Sequence, residues 1–174
     1  MPSILRSALL AAALILVPVS SAQASACPGA DIPDGSDQAR AAAVRCLIAE
    51  TRAEAGRAPL RRTAALVRSA KLKASRIDAC HELTHTPCGA PMEASMRAVG
   101  YARSCYSVAE NLAWVSRGST PRDVLQAWLD SPDHRATLLS GAYRDTGVAR
   151  LVASLRGAGR VELWVQHFGT RCGT

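Results

Sequence analysis

Three stretches of the chain repeat apolar residues at helical spacing. Val44, Leu47, Ile48 and Thr51 stand at i, i+3, i+4 and i+7, which predicts a helix capped by Asp37, running to about Ala55 and ended by Gly56. Leu66, Ala70, Ala74 and Ile77 predict a second helix from a Thr63 cap to about Cys80. Val124, Leu125, Trp128 and Leu129 form the third stripe, behind a Thr120 cap and with Pro121 in the first turn, where a missing N–H costs nothing. Ser131-Pro132 ends that helix, because the residue before a proline avoids the α region. His134 then opens a second short apolar run of Ala136, Leu138 and Leu139, so an imidazole is expected at a helix break beside a core. Met92 to Val99 predicts a short helix closed by Gly100, whereas Tyr101 to Ala113 has only weak periodicity.

The C-terminal part alternates instead. Thr146 to Val152 and Val161 to Phe168 read as strands joined by the turn Arg156-Gly157-Ala158-Gly159-Arg160. Val161, Leu163 and Val165 point one way, Trp164 and Phe168 the other. Two apolar faces require two covers. The expected fold is therefore α/β: a three-layer α/β/α sandwich whose small antiparallel sheet has helices on both faces.

The first residues do not fit that pattern. Residues 4 to 18 are almost wholly apolar after a single cation, Arg6, and small residues follow around Ala22, Ala24 and Ala26. This is the form of a secretory signal peptide, and it is shorter than the ~20 residues a spanning helix needs. The expected division is a signal peptide over 1–24, a Pro/Gly-rich lead-in over 25–39 and one domain over 40–174. Cys27 after Ala26 raises a lipid anchor as the weaker alternative. Removing Arg6 lowers the net charge from +7 to +6. The remaining cations are scattered, with no basic run longer than Arg61-Arg62, which argues against nucleic-acid binding. The expectation is a secreted or periplasmic monomer with no transmembrane segment.

Six cysteines remain: Cys27, Cys46, Cys80, Cys88, Cys105 and Cys172. An even number behind a signal peptide argues for disulfides, with 15 possible pairings. Proximity favours Cys80 with Cys88, and Cys172 is placed to tie down the terminus.

Two sets of residues compete for chemistry. His81-Glu82-Leu83-Thr84-His85 matches H-E-x-x-H, in which two His one helical turn apart bind zinc and the Glu is the base of a metal-dependent peptidase. Thr86-Pro87 cuts any helix there at once, and no third ligand follows at the required spacing. The second set is His85, Glu110 and His134, spread over three segments. Two imidazoles and a carboxylate can hold a divalent cation with an open position, or share a proton. On residue types alone each also has an ordinary reading: a helix cap for His134, an ion pair for Glu110, a wet loop for His85. His167, on the Val161/Leu163/Val165 side, reads as a core or edge residue; Trp128 and Trp164 read as core anchors.

The order of the pieces resembles the CAP superfamily (cysteine-rich secretory proteins, antigen 5, pathogenesis-related 1), in its bacterial SCP-like extracellular form. LIAETRAEAGRAPL (47–60) resembles its opening helix and linker, and Leu83-Thr84-His85 the "S-H" segment. Arg97, Gly100 and Tyr101 match the next element, and Ala109 to Ala113 resembles "G-E-N-I/L-A". WLDSPDHRATLL (128–139) resembles "W-x-x-S-P-x-H-R-x-x-L/I-L", while Thr146-Gly147-Val148 and Val165 to Gly169 resemble the first and last strands. The resemblance implies the sandwich fold and a binding cleft of His85, Glu110 and His134, with His85 and His134 able to bind Zn2+ or another divalent cation. It implies a binding function toward a small-molecule, lipid-like or cell-envelope ligand, and places His81 outside the pattern. A secreted metal-dependent hydrolase, using that cleft or H-E-x-x-H at 81–85, is the alternative. Ser131 stands where animal members carry a second Glu, and Ala109, Asp133 and Thr137 replace the usual Gly, Gly and Asn. Asp133 beside His134 is expected to favour the protonated imidazole.

Overall fold

The computed structural model describes residues 26–173; the predicted signal peptide lies outside them. α1 (Asp37–Glu54) is capped one residue earlier than predicted: Ser36, in extended conformation, accepts the Ala39 N–H, so Asp37 is the first helical residue and not the cap. β1 (Arg61–Arg62) and α2 (Ala64–Cys80) follow, the latter capped by Thr63 as its sequence predicts. A 3₁₀ turn (Pro87–Gly89) and α3 (Ala94–Ala98) lead to β2 (Tyr106–Val115). α4 (Pro121–Asp130) carries a full capping box, in which Thr120 and Asp123 each bond the other's backbone. α5 (Pro132–Leu139), β3 (Asp145–Leu155) and β4 (Gly159–Arg171) complete the order.

The strands lie in the order β1-β3-β4-β2. β3 and β2 flank β4 antiparallel, and β1 adds a short parallel pairing to β3. β2 is the strand that the sequence leaves unassigned. Its burial does not alternate cleanly, because polar Glu110 and Asn111 are buried beside Leu112 and Ala113. Polar residues with buried partners erase the period-2 signal.

Each face of the sheet has its own core. Trp164 and Phe168 pack with Val44, Leu47, Ile48, Val124 and Trp128 of α1 and α4. Leu163 and Val165 pack with Ala70, Ala74 and Ile77 of α2. The layers are α1 with α4 and α5, then the sheet, then α2, which is the expected sandwich. Fully burying a large apolar side chain contributes about 1.5–3 kcal/mol, and Trp128 and Trp164 are both wholly buried. α2 lies so close to the sheet that a Cβ at Gly147 would meet the Leu66 carbonyl carbon at 2.2 Å. Disulfides join Cys27 to Cys46, Cys80 to Cys88 and Cys105 to Cys172. The first occupies the Cys27 sulfur that a thioether-linked lipid would need; the last ties the C-terminal segment to the start of β2.

Candidate functional site

The site is built around Glu110, whose side chain is fully buried in β2. It shares a sheet face with His167, its cross-strand partner in β4. His167 Nε2 lies 2.8 Å from Glu110 Oε2, and His167 Nδ1 lies 2.7 Å from Ser69 Oγ. The Ser69 hydroxyl donates to the Leu66 carbonyl, one turn back in α2. The same hydroxyl lies within reach of Nδ1, so the neutral ring that burial favours donates Nε2–H to the carboxylate and accepts at Nδ1. This Ser–His–Glu chain has the composition of a hydrolytic triad, yet Ser69 and His167 are wholly buried. It holds the carboxylate and offers no accessible nucleophile.

Glu110 Oε1 faces two further donors. Lys73 Nζ lies 3.1 Å away with its side chain buried, and His85 Nδ1 lies 2.8 Å away. Lys73 also donates to the His85 backbone carbonyl, so one ammonium ties both the carboxylate and the loop that carries His85. Burial pushes the Glu110 pKa up, but the hydrogen bonds from His167 and His85 and the charges of His167 and Lys73 outweigh it and hold the pKa below its usual value. Burial lowers the Lys73 pKa despite the favourable Glu110 charge, and burial likewise lowers that of His167 against the same carboxylate.

His85 hangs from the segment after α2, where its side chain is about half exposed. Glu110 accepts from Nδ1–H, so the lone pair of His85 lies on Nε2, on the ring's other side. His134 arrives from the opposite side of the sheet. It is the third residue of α5, since Pro132 starts a new helix directly after Ser131 rather than leaving an open turn. Asn111 Nδ2 donates to the His134 carbonyl at 3.0 Å, the backbone role expected for it. The buried Arg52 guanidinium holds the other end of α5 through the Leu138 and Ser140 carbonyls. Burial and the nearby His85 charge lower the His134 pKa and outweigh Asp133, so the neutral imidazole is favoured. This reverses the expectation drawn from Asp133.

H-E-x-x-H does not form the arrangement its pattern needs. α2 ends at Cys80, and His81 caps it in the left-handed region at φ 55°. His81 Nδ1 bonds the Ser154 carbonyl, and Glu82 faces Arg156. His81 and His85 therefore do not stand one helical turn apart. Among the described residues, one trio of His, Cys, Asp or Glu has its ligand atoms within 4.8 Å of one another: Cys27, Cys46 and Glu50. Both sulfurs are joined in a disulfide, so no thiolate is left to ligate.

The family model for CAP, the cysteine-rich secretory protein family, matches residues 46–168. The chain belongs to the CAP family. Its fold is similar to that of an outer surface protein from Borrelia burgdorferi, with a TM-score of 0.62, 25% identity, and coverage of 74% of this chain and 90% of that one. It is also similar to an extracellular SCP-domain protein from Bacillus anthracis (TM-score 0.63, 16% identity, 76% of this chain and 40% of that one). A cysteine-rich secretory protein from Staphylococcus aureus gives a TM-score of 0.58 at 17% identity, over 76% of this chain and 38% of that one. This CAP chain thus spans about two fifths of the length of the latter two. No curated protein matches it. Among the described residues, no helix is long and apolar enough to cross a membrane.

Lys73, Ser69 and the partnership of His167 with Glu110 are the parts of the site that motif reading misses. Their signal is a positional one. Ser69 and Lys73 are four residues apart on the same stripe of α2 that carries Leu66, Ala70 and Ile77. A Ser and a Lys at buried helical positions require polar partners across the interface.

Proposed function

We propose that this CAP protein acts outside the cytoplasm as a binding protein whose cleft takes a divalent cation, such as Zn2+, through His85 and His134. The observation that carries this reading is the Glu110–His85 hydrogen bond. A carboxylate that fixes Nδ1–H of a ligand imidazole, and so turns Nε2 outward, is a recurrent support of protein metal sites. The donor chemistry fits a cation: His85 has its lone pair on the half-exposed side, and His134 is favoured neutral, as a ligand must be. Glu110 acts as the orienting group and not as a ligand, because His167, Lys73 and His85 already occupy its two oxygens. A bound cation would supply Lewis acidity and an attachment point for a polar ligand group.

A lipid-like or cell-envelope ligand is the companion proposal. Leu83, two residues before His85, and Trp114, four residues along β2 on the same face as Glu110, are exposed apolar side chains. Binding is favoured over hydrolysis because the most buried acid of the site is held ionised by three donors, which makes it a weak proton acceptor. Calorimetric zinc titration near neutral pH of the oxidised wild type, His134→Ala and His81→Ala tests the cation. The reading requires binding that His134→Ala abolishes and His81→Ala retains. Wild type that binds no zinc, or loss in His81→Ala alone, would overturn it.

A further inference from the structure

The sheet has a gap in its outer edge, far from Glu110. β1 covers β3 only at Asp145 and Thr146. The Thr63 N–H donates to the Thr146 carbonyl, so Thr146 presents its backbone groups outward. Alternate residues of a strand do the same, which places the outward groups of β3 on Thr146, Val148, Arg150, Val152 and Ser154. Ser154 confirms the parity: its N–H donates to Asp78 Oδ1, and its carbonyl is bonded by His81. The edge is therefore occupied at both ends and open between them, over Val148 to Val152. No backbone hydrogen bond on this side reaches Val148, Arg150 or Val152 from the described residues.

A cavity of about 440 Å³ lies on that open edge. α1 supplies one wall through Ala41, Ala42 and Arg45, and α2 the other through Val67 and Lys71; Arg62 stands at the end. The cavity is cationic. Arg150 is already tied to Glu162 and Asp37, and Asp37 is the cavity's one lining carboxylate. Arg45, Arg62 and Lys71 have no ion pair with a carboxylate among the described residues. Arg45 donates only to the Ala41 carbonyl, and burial and the Arg62 charge lower its pKa. Two guanidinium groups thus converge without an anion between them.

We propose that this groove binds an extended acidic peptide, which adds as a strand beside β3 in line with β1 and sets its carboxylates against Arg45, Arg62 and Lys71. Main-chain pairing supplies the alignment, and the cations supply the sign of charge. The open edge accommodates a strand of about five residues at ~3.3 Å per residue. Charges on a sheet edge also serve to prevent unwanted pairing. The two roles differ in one respect: a protective edge rejects every peptide, while a receptive one discriminates by charge and by backbone N–H.

The test is fluorescence anisotropy on the oxidised protein with a labelled eight-residue peptide of alternating Glu and Val. Three comparison peptides carry Lys for Glu, N-methyl groups at the odd positions, or N-methyl groups at the even positions. The proposal predicts saturable binding of the Glu peptide, none of the Lys peptide, and at least tenfold weaker binding of one N-methylated peptide. Arg62→Glu with Lys71→Glu, both on exposed side chains, should weaken the Glu peptide at least tenfold with the melting temperature unchanged. No binding of the Glu peptide, or equal binding of both N-methylated forms and their parent, would overturn the proposal; the second result would reduce the groove to a general anion site. If the double variant unfolds, the N-methylated peptides still decide.

Discussion

Replacing Glu110 by Gln keeps the shape of the side chain and removes its charge. Lys73 is then left as a buried ammonium with no carboxylate in contact, held only by the His85 carbonyl and a neutral amide oxygen. Removing one partner of a buried ion pair costs about 3–5 kcal/mol, because the other charge stays desolvated. The half-exposed His85 adds little, since an exposed pair contributes about 0–1 kcal/mol. The expected loss for Glu110→Gln at pH 7 is therefore about 3–5 kcal/mol, set mainly by Lys73 and His167. For a domain of this size that is a fall in Tm of roughly 6–20 °C. Lys73→Met leaves the carboxylate with two imidazoles that can take up a proton, so it should cost less. The double variant Lys73→Met/Glu110→Gln removes both charges and should be more stable than the sum of the single losses by about 1–3 kcal/mol. Urea denaturation of the four proteins, with disulfides intact, gives the cycle. A Glu110→Gln loss under about 1 kcal/mol, or simple additivity, would refute a buried charge pair at the centre of the site.

Other consequences follow from the same geometry. Stability should fall on acidification in two steps, read from urea midpoints against pH. The folded pKa of His167 lies below its unfolded value of about 6.5, so the unfolded chain binds more protons and stability is lost as pH falls below that value. Glu110 adds a second loss below about pH 4.5, by the same sign. Gly147→Ala should destabilise by at least ~1–3 kcal/mol in thermal melts, because its Cβ would press on the α2 backbone at Leu66. Replacing both Cys105 and Cys172 by Ser opens a loop with a sequence separation of 67. By loop entropy this should cost about 4 kcal/mol, measured by urea denaturation.

Most of the fold is legible in the sequence, and the reasons are local. The Trp128 helix announces its start through Thr120 and Pro121 and its end through Ser131-Pro132, and each of these acts on the backbone of its own neighbours. β3 and β4 show themselves because their two faces meet separate apolar cores. β2 is hidden because Glu110 and Asn111 are buried for reasons outside their own strand: Lys73 and His167 for one, the α5 backbone for the other. The site divides in the same way. His85, Glu110 and His134 are named by the family resemblance, whereas Ser69 and Lys73 become visible only when α2 is laid on the sheet. The pKa of His134 does not follow from Asp133, because adjacency in sequence says nothing of the burial and the His85 charge that dominate it.

The most direct test of the cation-binding cleft is the nitrogen-15 NMR spectrum of the imidazoles, recorded without and with zinc near neutral pH. The account predicts that free His85 carries its proton on Nδ1, and that zinc shifts His85 Nε2 and one ring nitrogen of His134 while the buried His167 resonances stay in place. A free His85 protonated on Nε2 alone, or a spectrum in which zinc moves neither His85 nor His134, would contradict it.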